Sequence, residues 1–261
     1  MKKQNLFYRL LRGAIRTVFA IFINVSVAGI ENVRPDQNYV FIGNHNNWID
    51  PILVFAYLPT HKKMAILGEE HSGHRKKSIL KLIEWAKINV IAFDRGSSSA
   101  RIKALKVASH VVNNGESLLV FPEGRICRVD GEFYPFFKAS FFIAKQGKSP
   151  ILPIYIRGTE ELYFGRNITL VFGEEIKTEK KSNVEKLTTT TYYYMKNELA
   201  PDKPKNDQKK KRCDITYLFL AAPPPIDKAL MNIPVANGNS AVAHYEKARE
   251  LTKKNTTWSK M

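Results

Sequence analysis

Apolar positions in this chain gather into short runs separated by longer amphipathic stretches. Residues 39–42, 64–67, 89–93, 117–121, 151–156 and 168–172 are rich in β-branched and aromatic side chains, and each has the length of a buried strand. Between them, residues 51–58, 78–86, 99–114 and 139–146 have the length and mixed polarity of helices. Strands alternating with helices predict an α/β domain over residues 31–176, a mixed, largely parallel sheet flanked by helices. Pro153 falls inside one of the runs and suggests an edge strand or a bulge there.

The ends of the chain follow other patterns. Residues 17–30 form an apolar run preceded by Arg9, Arg12 and Arg16. A secretory signal fits the basic start, but no small-residue cleavage site follows. The uninterrupted run falls short of the roughly 18–20 residues that span a bilayer. With Phe7, Tyr8, Leu10 and Leu11 among the arginines, residues 1–30 read best as a helical segment lying in a membrane interface. The alternative is a helix packed on the domain itself. The α/β core is expected to fold without residues 2–26. Residues 177–200 suggest one more helix, although the Thr188–Tyr194 stretch is poor helix material. Residues 201–261 read as a basic linker and a tail, with a short apolar run at 215–222, then three prolines and no motif.

Composition narrows the partners. The chain has 261 residues, a net charge of +17 and 44% hydrophobic residues, which suits an ordinary core and excludes a polytopic membrane protein. An excess of that size favours a polyanion: nucleic acid, an anionic bilayer or a phosphorylated substrate. No nucleic-acid motif accompanies it. Cys127 and Cys213 have no metal-type spacing and make no disulfide framework, so both read as free thiols in a reducing cytosol.

Chemistry concentrates after the strand runs. The string Gly43-Asn44-His45-Asn46-Asn47-Trp48-Ile49-Asp50-Pro51 offers a histidine base and a carboxylate to orient it. On a regular helix, residues five apart stand roughly 140° from each other and do not meet. The segment is therefore a turn leading into a helix that Pro51 begins. Asp50 then has two readings, as partner of His45 or as helix N-cap, and His45 alone could be a structural histidine. Phe121-Pro122-Glu123-Gly124-Arg125 ends a strand, at the sheet edge where α/β domains bind ligands; Gly124 permits close approach and Arg125 suits a phosphate. The plainer reading is a turn with an exposed ion pair. Asp94-Arg95-Gly96-Ser97 precedes a helix and suggests a phosphate cradle, although serine is also a common cap.

Together these strings resemble the glycerolipid acyltransferase family, most of all the 1-acylglycerol-3-phosphate (lysophosphatidic acid) acyltransferases. Asn44-His45 through Asp50 is similar to the family's His-x4-Asp block, Arg95 to its second block, Phe121-Pro122-Glu123-Gly124 to its third, and residues 151–156 to its proline-containing fourth, in the family's order. The chain departs from it where Arg125 directly follows Gly124 and where Ala139-Ser140 follows Phe137-Lys138. The resemblance implies His45 as base and Asp50 as its orienter. It implies that Asn44, Arg95, Phe121, Pro122, Glu123, Gly124, Arg125 and Lys138 contact substrate, and that no metal, cofactor or covalent nucleophile takes part. The donor is then acyl-CoA or acyl carrier protein, the acceptor a lysophospholipid, and the setting an anionic membrane on its cytosolic face, with peripheral or monotopic attachment. Phe133, Phe136, Phe137, Phe141 and Phe142 are candidates for an acyl groove, or plain core. Alternatives are another acceptor, such as glycerol 3-phosphate or a different lysolipid, and a non-catalytic basic membrane-binding module.

Overall fold

The computed structural model describes residues 6–69, 89–93, 97–127, 129 and 131–200. The expected helix at 78–86, Arg95, and the linker and tail at 201–261 lie outside the described residues. The chain opens with helix α1 (Leu6–Phe22) and strand β1 (Ile23–Ala28), then β2 (Val40–Gly43), α2 (Asp50–Tyr57), β3 (Met64–Glu69) and β4 (Asn89–Phe93). It continues with α3 (Ser98–Asn113), β5 (Ser117–Val120), α4 (Ala139–Gly147), β6 (Ile151–Arg157), β7 (Arg166–Phe172) and α5 (Val184–Tyr194), which ends in a π-helical turn. The strands form one sheet in the order β1-β7-β6-β2-β5-β3-β4. Among the described strands, only the β6–β7 pair is antiparallel, and Ile176 adds an isolated antiparallel bridge to Ile151. The expected architecture, a mixed and largely parallel sheet flanked by helices, is the one observed.

Alternation along the strands builds two cores. In β2, Phe41 faces a cluster with Leu53 and Val54 of α2 and Leu11 and Phe19 of α1. Its neighbours Val40 and Ile42 face the other cluster, with Ala108 of α3 and Phe141 and Ala144 of α4. Such strands are buried on both faces, which is why they read as continuous apolar runs. The β2 connection leaves through α2 on one face, and the neighbouring β5 connects through α4 on the other. Loops that diverge in this way open a crevice at the carboxyl ends of the two strands.

The N-terminal apolar run is not helical to residue 30. The helix stops at Phe22, and residues 23–28 form strand β1, paired with β7 from Ile23–Arg166 to Ala28–Val171. The reason lies in the residues: Ile23, Asn24, Val25, Ser26 and Val27 alternate apolar and polar, the period of a half-buried strand. Helix α1 packs on the domain through Arg12 and Arg16. Arg12 Nη1 donates to the Thr60 carbonyl (3.1 Å) and Arg16 Nε to that of Ala56 (2.7 Å), at the carbonyl-rich end of α2. Both guanidinium groups also lie over aromatic rings, Arg12 over Phe55 and Arg16 over Tyr57. Burial, and then the neighbouring Arg16, lower the Arg12 pKa to about 10. Two of the three arginines expected to face a membrane thus bond the domain instead, Arg12 buried and Arg16 from an exposed position. The outer side of α1 is apolar instead: Leu10, Val18, Ile21 and Phe22 are exposed, and Phe22 meets the exposed Phe164 edge-to-face.

Two other expectations change. Pro153 sits in β6, in the middle of the sheet, with no bulge. Its carbonyl accepts from Gly173 N (2.8 Å), so its nitrogen also points to the β7 side, just outside the β7 ladder, which spans Ile154 to Arg157. There the missing N–H forfeits only the return bond to Gly173 at the end of the ladder, and none toward β2. The threonine run at 188–191 is helical with Asn183 capping the Glu185 and Lys186 amides, and the buried Thr188 and Thr191 hydroxyls are satisfied by bonding back to Val184 and Leu187. Residues 177–183 precede that helix.

Candidate active site

The crevice between β2 and β5 holds His45 and Asp50. His45 follows β2, and Asp50 begins α2. His45 Nδ1 lies 3.0 Å from Asp50 Oδ2, the same oxygen that accepts the Asn46 and Asn47 amides at 2.7 Å each. Asp50 therefore turns back to the loop before it and caps nothing in α2, which has no side-chain cap. Its other oxygen, Oδ1, is buried and has no hydrogen-bond partner among the described residues. A carboxylate accepting three donors fixes the Nδ1–H tautomer, which leaves Nε2 with its lone pair. The imidazole is 20% exposed and the carboxylate fully buried, so the base faces the crevice and its orienter does not.

Phe121 and Glu123 complete the seat of His45. The Phe121 ring stacks on the imidazole, with centroids 4.5 Å apart and planes at 25°. Gly43 makes this possible: a Cβ there would stand 2.9 Å from Phe121 Cε1. Glu123 is fully buried, accepting from His45 N (2.6 Å) and Tyr134 N (2.7 Å). Burial pushes its carboxyl well above the usual range, and the two amides pull it back. From the other side, the His45 carbonyl accepts from Cys127 N (2.7 Å). The Cys127 thiol is raised, first by burial and then by Glu123, and is inert. Gly124 takes φ 69°, and a Cβ would meet the Phe137 ring at 2.7 Å.

The residues expected to touch substrate thus divide. Glu123 is neither an exposed ion pair nor available to a ligand, because both oxygens are spent on backbone amides. Asn44 is also internal: it brackets Ile156, donating to its carbonyl (2.8 Å) and accepting from its amide (2.7 Å). Pro122 is buried and accepts from Phe137 N. Lys138 pairs with Glu185 of α5 (2.7 Å). Phe121 and Arg125 are partly exposed, with Arg125 over the Tyr134 ring. Ser97 caps α3 through Ala100 N, while Arg95 is outside the described residues. Of the five phenylalanines, Phe133, Phe136 and Phe141 stack in the core and Phe142 is exposed.

Sequence reasoning passed over a third strand end. Asn46 Nδ2 donates to Ile156 O and Glu160 Oε1, both at 2.9 Å, and Asn47 Nδ2 donates to Thr159 O (2.7 Å). Three asparagines at 44, 46 and 47 were the available signal, since each brings donors that a buried loop must satisfy. Glu160 gave none. Among the described residues, no group of three His, Cys, Asp or Glu side chains is placed to hold a metal ion.

A family model described as Acyltransferase matches residues 24–157. The chain is 29% identical over 146 residues to the 1-acyl-sn-glycerol-3-phosphate acyltransferase alpha of Ovis aries, covering 54% of this chain and 47% of that protein. It is 28% identical over 191 residues to the 1-acyl-sn-glycerol-3-phosphate acyltransferase of Borreliella burgdorferi, covering 72% and 73%. The crystal structure of the 1-acyl-sn-glycerophosphate (LPA) acyltransferase PlsC from Thermotoga maritima superposes with a TM-score of 0.61 at 24% identity, over 76% of this chain and 81% of that one. At that identity the likeness concerns the fold. The chain spans about half the length of most of the curated relatives it matches.

Proposed function

The chain belongs to the acyltransferase family, and from that membership we propose that it moves a fatty acyl chain from acyl-CoA or acyl carrier protein to the sn-2 hydroxyl of 1-acylglycerol 3-phosphate, giving phosphatidic acid. The observation that carries the reading is the His45–Asp50 contact at the mouth of the crevice. His45 Nε2 takes the proton of the acceptor hydroxyl as its oxygen attacks the thioester carbonyl. The C–S bond then breaks, and the departing thiolate recovers that proton from the imidazolium, which Asp50 stabilises meanwhile. Phe121 supports the same charge, since a cation gains by lying on an aromatic face. Arg125 and Arg95 are our candidates for the acceptor phosphate.

The lipid substrates place the enzyme at a bilayer, and we assign the contact to the outer side of α1. Among the described residues no helix is long and apolar enough to cross a membrane. Exposed Leu10, Ile21 and Phe22, with Phe164 beside them, suit shallow insertion from the cytosolic side.

The test crosses two donors, acyl-CoA and acyl carrier protein, with three acceptors: 1-acylglycerol 3-phosphate, glycerol 3-phosphate and a lysolipid without the free phosphate. The first acceptor is expected to give the highest kcat/KM. A preference for either of the others would replace the substrate, and no transfer to any would sink the reading. His45→Ala should lower kcat at least about 100-fold, the scale of a general base; near-normal turnover of the folded variant would remove His45 from the mechanism. Arg95→Ala should raise the Michaelis constant of the phosphorylated acceptor more than that of the donor, and equal rises would count against Arg95.

A further inference from the structure

The structure assigns Glu160 a positioning role: held by Arg166, it fixes the Asn46 side chain, and through Asn46 the backbone amide that keeps Asp50 against His45. The inference rests on the acyl-transfer reading above. Asn46 is the joint. Its main-chain N–H donates to Asp50 Oδ2 at 2.7 Å. Its side chain is buried, donates to the Ile156 carbonyl and Glu160 Oε1, and accepts from Asn44 Nδ2 at 3.2 Å. The residue that carries the Asp50 contact is thus oriented by a carboxylate on another element.

That carboxylate is held on both of its oxygens. Glu160 is 3% exposed, its Oε2 accepts from Gly158 N (2.8 Å), and Arg166 Nη2 stands 3.7 Å away. Arg166 is itself fixed, donating Nε to Gly158 O and Nη1 to the Tyr163 hydroxyl, both at 2.9 Å. A buried carboxylate persists when a cation and donors compensate it, and an anionic acceptor forms a shorter, stronger bond than a neutral amide. A glutamine would keep the shape and lose that strength. A purely structural Glu160 would staple the β6–β7 turn through Gly158 and Arg166 and need no bond to the loop that carries His45. The Asn46 contact is what turns a staple into a positioning device, because small displacements of a catalytic group cost rate steeply.

The experiment compares Glu160→Gln, Asn46→Ala and the double variant in the full chain, measuring kcat, both Michaelis constants and the melting temperature. Glu160→Gln is expected to lower kcat about tenfold, with both Michaelis constants within about twofold, because positioning acts on the reacting geometry and not on binding. Added to Asn46→Ala, it should cost no further kcat, since its effect runs through the missing side chain. Losses that multiply in the double variant, or a lower melting temperature with unchanged kcat, overturn the proposal. Should Glu160→Gln fail to fold, Glu160→Gln with Arg166→Gln removes both members of the pair and carries the same comparison. The ring-proton NMR signals of His45, assigned by their loss in His45→Gln, separate this inference from the functional reading. If the wild-type chain transfers no acyl group, that reading fails; His45 signals displaced by Glu160→Gln still support the positioning role, and unmoved signals overturn it.

Discussion

Glu123 joins full burial to two short backbone bonds, and its protonation is therefore coupled to folding. An unfolded glutamate releases its proton near 4.5, and the folded one holds it to higher pH. Between those values the folded state binds more protons, so this residue's contribution is largest below about 4.5 and declines as pH rises. Glu123→Gln abolishes the titration while keeping the shape. The melting temperature of the native chain minus that of the variant should fall between pH 4.5 and pH 7.5, and a difference that grows would reverse the assignment. Turnover of Glu123→Gln should drop as well, because an amide facing the His45 and Tyr134 N–H groups can accept only one of them. At this scale the sequence was informative where chemistry is local. Five residues with Pro51 at their end leave few ways for His45 and Asp50 to meet. The burial of Glu123 depends on Tyr134, and the bond from Asn46 to Glu160 spans 114 residues, so neither showed in a local pattern.

Helix α1 presents two sides of different chemistry. Its inner side carries Leu11, Phe19 and the two arginines that meet the end of α2, and its outer side carries Leu10, Val18, Ile21 and Phe22. Read along the chain, the two sides merge into one apolar run, which concealed the change to strand period at Ile23. The sides should separate by mutation. Leu10→Ser, Ile21→Ser and Phe22→Ser together are expected to release the chain from anionic liposomes in flotation with little change in melting temperature. Arg12→Ala with Arg16→Ala should instead lower the melting temperature, because each lost bond to a carbonyl costs about 1–3 kcal/mol. A triple variant that still floats would move membrane attachment away from α1. With Arg12 and Arg16 engaged by Thr60 and Ala56, added salt should weaken flotation less than three free arginines would imply.

At the scale of the molecule, the sheet changes which truncations are tolerable. The expectation that the core folds without residues 2–26 conflicts with β1, since that cut removes most of the strand covering β7. A chain lacking residues 2–26 should therefore melt less cooperatively than the full chain, and an unchanged transition would show that β1 adds little. The alternation of strands and helices made the parallel block from β6 to β4 legible. The pairing of β1 with β7 was not, because it joins segments as far apart as Asn24 and Asn167, 143 residues along the chain. That span sets an order of events during synthesis. Strand β1 leaves the ribosome long before β7, its neighbour in the sheet, exists, and at roughly 5–20 residues per second the wait lasts many seconds. Throughout it, the apolar outer side of α1 is available to any nearby bilayer while the crevice is still unbuilt. On the proposed function, the nascent chain meets a membrane before it can act on lipid, and the last of the described strands both completes the sheet and ties helix α1 to it.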